Sequence, residues 1–379
     1  MNMIERQPPN ALYERTALVL QGGGALGAYQ AGAYESLAKA GIHPDWIAGI
    51  SIGAINAAIM AGNAPADRVE RLRSFWTKIT ADFPPRVLAG DDAASRYLFG
   101  ALSSQRAVAG GVQGFFSPRV PAAWLHLPGA AGALSHYDTT PLRKTLLDHV
   151  DFDRINAGET RLSLGAVNIR TGNFTYFDTD RQPIGPEHVM ASGALPPGFP
   201  PVEIDGEYYW DGGLVSNTPL AYVLGEDGFR TMLAIQIDLF SATGPFPKTI
   251  EDVEERRKDI VYSSRTRLNT DRFSDEHRLR QAIARLAEAL PADKRNDPRL
   301  AALTDMGATH EVAVVHLIYR SVGYDGPAKD YEFSRRSMLE HWAAGAADAR
   351  RTIRAKDWRV PPRSRAGIAV YDMTRAGVA

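Results

Sequence analysis

The 379-residue chain contains no cysteine. That excludes disulfides, thiolate zinc sites, iron–sulfur clusters and thiol nucleophiles together, and it fits a reducing cytoplasm. Charge of one sign is also lacking, since 43 Lys and Arg stand against 44 Asp and Glu for a net −1. Nucleic acid as the main partner needs a basic surplus that is not there. No apolar run approaches ~20 residues, so no transmembrane helix is expected. The polar start, Met1–Glu14, carries no signal-peptide core. The expectation is a soluble, cytoplasmic protein whose contact with membranes is peripheral. No metal-ligand spacing stands out, and no cofactor is called for. What the chain does have is a 44% hydrophobic content, ample for a large core.

The apolar run Thr16–Leu20 enters glycines and reads as a buried strand, followed by helical sequence over Ala28–Ala40. A second strand, Trp46–Ile50, leads through Gly49–Gly53 into a helix, Ala54–Ala61. Two strand–glycine turn–helix units in succession open an α/β layer protein. Asp67–Asp82 predicts a further amphipathic helix. From Leu88 to His136 the period dissolves, leaving Ala/Gly-rich sequence with the exposed-looking Phe115, Phe116, Trp124, Leu125 and Leu127. A stretch of that length reads either as a functional cover, with Phe115, Phe116 and Trp124 as its candidate contacts, or as an insertion with its own small core. Asp138–Asp151 predicts a helix with Pro141 in its first turn. Hairpins are expected over Leu162–Asp178 and, around Asp205-Gly206, over Val202–Trp210. Met232–Ile237 and Val312–Tyr319 are strand-like. Glu251–Lys294, with ten acids and ten bases, predicts a solvated helical pair packed through Leu279, Ile283, Leu286 and Leu290. A last helix, Ser334–Ile353, runs into a basic tail. Arg350–Arg365 is read as a solvated end in preference to an anionic-lipid contact.

Three glycine motifs carry the chemistry. Gly49-Ile50-Ser51-Ile52-Gly53 is a G-x-S-x-G between strand and helix, where a sharp turn lifts a serine hydroxyl clear of the sheet. The following helix aims its N–H groups at a developing oxyanion. Gly22-Gly23-Gly24-Ala25-Leu26-Gly27 also opens a helix, and consecutive glycines there expose several N–H groups to one anion. Its spacing also matches G-x-G-x-x-G, but the acid that a dinucleotide site wants at the end of the second strand is absent, because Asp45 precedes that strand. Asp211-Gly212-Gly213 ends an aromatic strand and alone reads as a turn.

In this order the three motifs resemble the patatin-like phospholipase family, as does Ala191–Pro197 with Phe199–Val202 ahead of the aspartate. The resemblance spans about Ala17 to Phe240. It departs at Leu26, where many members carry Arg or Lys. It implies a three-layer α/β/α sandwich with a central, mainly parallel sheet. Residues 15–240 would form the catalytic core, with 88–136 the lid or insertion. Residues 241–379 would form a mainly helical C-terminal addition containing one core-type strand at 312–319. It further implies a serine lipid acyl hydrolase acting on lipid esters. Ser51 would be the nucleophile and Asp211 its base, with Gly22, Gly23, Gly24 and Ala25 as the oxyanion hole. Gly27, Gly49, Gly53, Gly212 and Gly213 would support the motifs.

Rival readings stay open. His277, His310, His316 and His341 follow Asp211, so a Ser-Asp-His hydrolase order is formally available. Acyl transferases with a histidine base use the same serine motif. A lipid-binding protein with a relict site is a third reading. Oligomeric state is not legible.

Overall fold

The computed structural model describes residues 8–80, 90, 92–263, 266–291, 294, 297–300, 306–307, 310–321, 325–362 and 367–372. Strand β1 (Arg15–Leu20) lies in the middle of a nine-stranded sheet, flanked by β2 (Trp46–Gly49) and β9 (Thr231–Asp238). Beyond β9 come β10 (Glu311–Ile318) and β11 (Ile368–Asp372); beyond β2 comes β5 (Arg161–Asn168). All these neighbours pair in parallel. The antiparallel part is β6 (Phe174–Asp178), β7 (Val202–Ile204) and β8 (Glu207–Asp211). A separate two-stranded ribbon pairs β3 (Ser117–Pro118) with β4 (Tyr137–Asp138).

Alternation along the strands sorts side chains to two faces. Leu18, Leu20, Ile47, Ile235 and Val315 join the larger core with helices α1 (Ala28–Lys39), α2 (Ile52–Ala61) and α3 (Arg68–Ile79). Ala17, Val19, Ala48, Ala234 and Val314 join a second core beneath α8 (Leu220–Leu224). Helices therefore cover both faces, and the expected α/β/α sandwich stands. The sequence after residue 240 adds α9 (Ile250–Tyr262), α10 (Thr266–Ala289), β10, α11 (Arg335–Arg354) and β11. Helix α11 docks on α1 through Ser36 Oγ, which donates to Ala346 O at 2.9 Å, and Tyr29 OH, which donates to Asp348 at 2.7 Å.

Three expectations change. The segment Leu88–His136 (88, 89 and 91 lie outside the described residues) contains helix α4 (Ala93–Gly110), started by Asp92 accepting from Ser95 N–H at 3.0 Å. Its Ala-rich composition favours helix without marking an apolar stripe, so periodicity missed it. Phe115 and Phe116 are buried rather than exposed. On α10, Leu279 and Leu286 face solvent, and the helix packs instead through Phe273, His277 and Gln281, where His277 meets His310 O at 2.9 Å. Asp82, the expected end of α3, and residues 363–365 of the basic tail lie outside the described residues.

Candidate active site

Register explains why two residues 160 positions apart meet. Strand β6 occupies one edge of β5 over Ser163–Val167. On the other edge β2 ends at Gly49, opposite Leu164, and β8 arrives with Asp211 opposite Ala166. Two residues of β5, about 7 Å of strand, separate these partners. Ser51 follows Gly49 by the same two residues, so the chain turning off β2 meets the end of β8.

Ser51 sits at φ 55°, ψ −123°, a backbone region that residues other than glycine rarely enter. The turn is held from outside. Its N–H donates to Ser192 O and Oγ, both at 3.1 Å, and Ser192 Oγ donates to Gly165 O at 2.7 Å. Glycine is required on both sides, because a Cβ on Gly49 would lie 2.4 Å from Gly53 O and one on Gly53 would lie 2.5 Å from Leu20 O. Helix α2 starts at the serine, with its positive end toward the site. Ser192→Ala leaves Gly165 O and half of the Ser51 N–H support unpaired. The expected cost is about 1–3 kcal/mol, read as a lowered denaturant midpoint.

Asp211 is buried, and its carboxyl accepts from Gly213 N–H at 2.7 Å. Burial pushes its pKa up to about 7, against the pull of hydrogen bonds from Ser51 and Gly213. The carboxyl is thus within hydrogen-bonding reach of the serine and changes its charge near neutrality.

The glycine loop passes beside both. A Cβ on Gly22 would come within 3.0 Å of Ser51 Cβ. Gly22 N–H already donates to Asn217 O at 3.2 Å, and Asn217 Nδ2 donates back to Gly22 O at 3.1 Å. Among the described residues no acceptor is bonded to the N–H groups of Gly23, Gly24 or Ala25, nor to that of Ile52. Gly22, Gly23, Gly24 and Ile52 line the cavity with Ser51 and Asp211, whereas Ala25 does not. A chain of buried amides fixes the loop: Gln30 donates to Gln21 O at 2.7 Å, and Asn56 donates to Gly27 O at 3.0 Å and Gln30 Oε1 at 2.9 Å. Gly24, at φ +54°, lies flat against the Asp330 carbonyl, which a Cβ would approach to 2.2 Å. Of the remaining motif glycines, Gly212 abuts Gly165 O and Gly213 supplies the bond to Asp211.

The cavity at Ser51 is about 70 Å³. Its apolar wall includes Phe115, Phe116, Leu195, Phe199, Phe240 and Phe333. Phe116 packs against Phe199 and Tyr137 at ring-centroid separations of 5.2 and 4.7 Å. Trp124 is not part of this wall. Nor is any histidine among the described lining residues: His277 bonds His310 O, His316 is buried in β10, and His341 sits against the Ala25 backbone. Among the described residues no group of His, Asp and Glu could hold a metal ion, and no helix is long and apolar enough to cross a membrane.

Sequence reasoning missed Ser192, Asn217, Asn56, Gln30 and Ile52 as supports of the site. The first four are buried polar side chains that bond backbone outside their own element, which no local pattern announces. Ile52 offers only an N–H, yet its position after the nucleophile is a usable signal.

Residues 18–224 match the patatin-like phospholipase family, and residues 260–365 match a second family described as patatin phospholipase. Among solved structures the chain is similar to VipD from Legionella pneumophila. They share 15% identity at a TM-score of 0.39, over 90% of this chain and 67% of that one. No curated protein matches the chain.

Proposed function

The chain belongs to the patatin-like phospholipase family, and from that premise we propose that it is a serine lipid acyl hydrolase working through a Ser51–Asp211 dyad. The observation that carries the reading is a serine on a strained turn within hydrogen-bonding reach of a buried carboxylate whose pKa is raised to about 7. Ser51 Oγ attacks the ester carbonyl carbon as Asp211 takes its proton. The oxyanion is received by the N–H groups of Gly23 and Gly24, with Ile52 N–H and the α2 terminus behind the serine. Gly22, whose N–H is engaged, shapes the wall instead. Collapse of the tetrahedral intermediate passes the proton from Asp211 to the leaving alcohol. Water then attacks the acyl-enzyme as Asp211 takes its proton, and collapse of the second tetrahedral intermediate returns that proton to Ser51 Oγ as the fatty acid leaves. The phenylalanine wall suits an acyl chain. A cavity of about 70 Å³ lies below the ~300 Å³ of ordinary ligand pockets, so binding requires those rings to part.

The test is turnover of a medium-chain p-nitrophenyl ester beside active-site labelling with a fluorophosphonate. Wild type is expected to hydrolyse and to carry the label on Ser51, and Ser51→Ala to do neither. Lipid binding by a wild type that neither labels nor hydrolyses would replace the enzyme with a binding protein.

A further inference from the structure

Between β3 and β4 the chain makes a closed loop, Arg119–His136, whose backbone is well tied. Arg119 N–H donates to His136 O at 3.0 Å, its guanidinium reaches Ser135 Oγ at 2.9 Å, and His126 meets Pro121 O at 3.1 Å. Two short 3-10 turns, Ala123–Leu125 and Ala131–Leu134, shape it. This ordered frame nonetheless holds its largest apolar side chains outward: Val120 is 91% exposed, Trp124 77%, Leu125 69% and Leu127 80%. From Ala93 to Tyr137 the sequence contains no aspartate or glutamate, although the whole chain holds 44. An apolar tip with a tryptophan and no carboxylate to repel a phosphate layer has the chemistry of an interfacial anchor.

The loop is also continuous with the site. It is flanked by Phe116, in the cavity wall, and Tyr137, whose ring meets that of Phe116 edge to face. His136 N–H donates to Pro197 O at 3.0 Å and Tyr137 N–H to Gly198 O at 2.9 Å, between Leu195 and Phe199 of the same wall. We propose that this loop docks on a phospholipid bilayer surface through Val120, Trp124, Leu125 and Leu127, bringing the mouth of the Ser51 cavity to the lipid. The proposal rests on the lipid-ester reading for its purpose, but its binding step does not require catalysis.

Trp124 supplies the probe, because the other five tryptophans are buried or half-buried. The experiment titrates Ser51→Ala protein, which cannot consume the lipid, with vesicles of phosphatidylcholine containing phosphatidylglycerol. Trp124 emission is expected to shift to the blue and to be quenched by brominated acyl chains. Leu125→Gln/Leu127→Gln in the same background is expected to lower vesicle partitioning about tenfold or more. With Ser51 intact, that double variant should keep wild-type turnover of a soluble short-chain ester and lose turnover on vesicle lipid. Equal partitioning of the two proteins, or no shift at Trp124, overturns the proposal. A concentration-dependent dimer that the double variant abolishes, without vesicle binding, reassigns the surface to a second copy of the chain. Vesicle binding by a wild type that hydrolyses no ester would retain the docking loop and discard the hydrolase.

Discussion

Asp211→Asn is expected to remove activity and at the same time make the protein more stable above pH 7. To act as the proposed base for Ser51 the carboxylate must be ionised, so wild-type kcat/KM should rise with pH through about 7 and then level. Asparagine still accepts from Gly213 N–H but takes no proton from the serine, and loss of a general base costs about 10²–10⁴-fold in kcat. Stability moves the other way. Folded Asp211 keeps its proton up to about pH 7, whereas an unfolded aspartate releases it near 3.9. Between those values the folded state binds more protons, so stability falls as pH rises. About three units at ~1.4 kcal/mol each put an upper bound near 4 kcal/mol on the burden that the ionised group places on the fold at pH 8. The variant should therefore gain Tm over wild type at pH 8 and match it near pH 4. Equal Tm at both pH values would mean that Asp211 is not held in an apolar setting. Full activity in the variant would return the base to a histidine.

Lys329→Met is expected to be among the most destabilising single changes, and its effect should reach the active site. Lys329 is buried, with Nζ 2.9 Å from Glu255 and 2.8 Å from Asp259 on α9. Burial works against its charge, but the two carboxylates outweigh that and hold its pKa above the ordinary lysine value. The next residue, Asp330, pairs with Lys258 at 2.7 Å and presents its carbonyl to Gly24. Removing one partner of a buried pair costs about 3–5 kcal/mol, because the others remain desolvated and unpaired. In wild type this contribution is complete below the unfolded lysine pKa and fades only at strongly alkaline pH, as the raised folded pKa is passed. In the variant, acid should shrink the deficit by protonating Asp259, whose carboxyl burial already holds above its ordinary pKa. Urea midpoints at pH 7 and pH 4.5 read both effects. Ester turnover by the fraction that stays folded should fall as well, since the turn carrying Asp330 backs the glycine loop beside Ser51. An unchanged midpoint at pH 7 would show that the network carries no stability.

The sequence by itself determined the local features that chemistry requires at fixed spacing. Strand, glycine turn and helix recur at Gly22–Gly27 and Gly49–Gly53, and both turns are where the short apolar runs place them. Asp205-Gly206 marks its hairpin because both residues adopt positive φ. The serine turn and the glycine loop show in the pattern because each is a short-range necessity of backbone geometry, whereas Asp211 alone reads as a turn and is picked out only by the resemblance.

Tertiary structure alone decided how those parts are finished. The meeting of Ser51 with Asp211 follows from β2 and β8 sharing one edge of β5, a register that no local window contains. Gly22 loses its N–H to Asn217, and Gly24 is backed by Asp330, over separations of 195 and 306 residues. Two neighbouring stretches of one Ala/Gly-rich segment part company. Phe115 and Phe116 turn inward against Phe199 and Phe333, while Trp124, Leu125 and Leu127 are held in solvent. Composition counts all five alike as hydrophobic. Which of them become cavity wall and which become surface depends on where β3 and β4 anchor the loop, and that is a property of the folded whole.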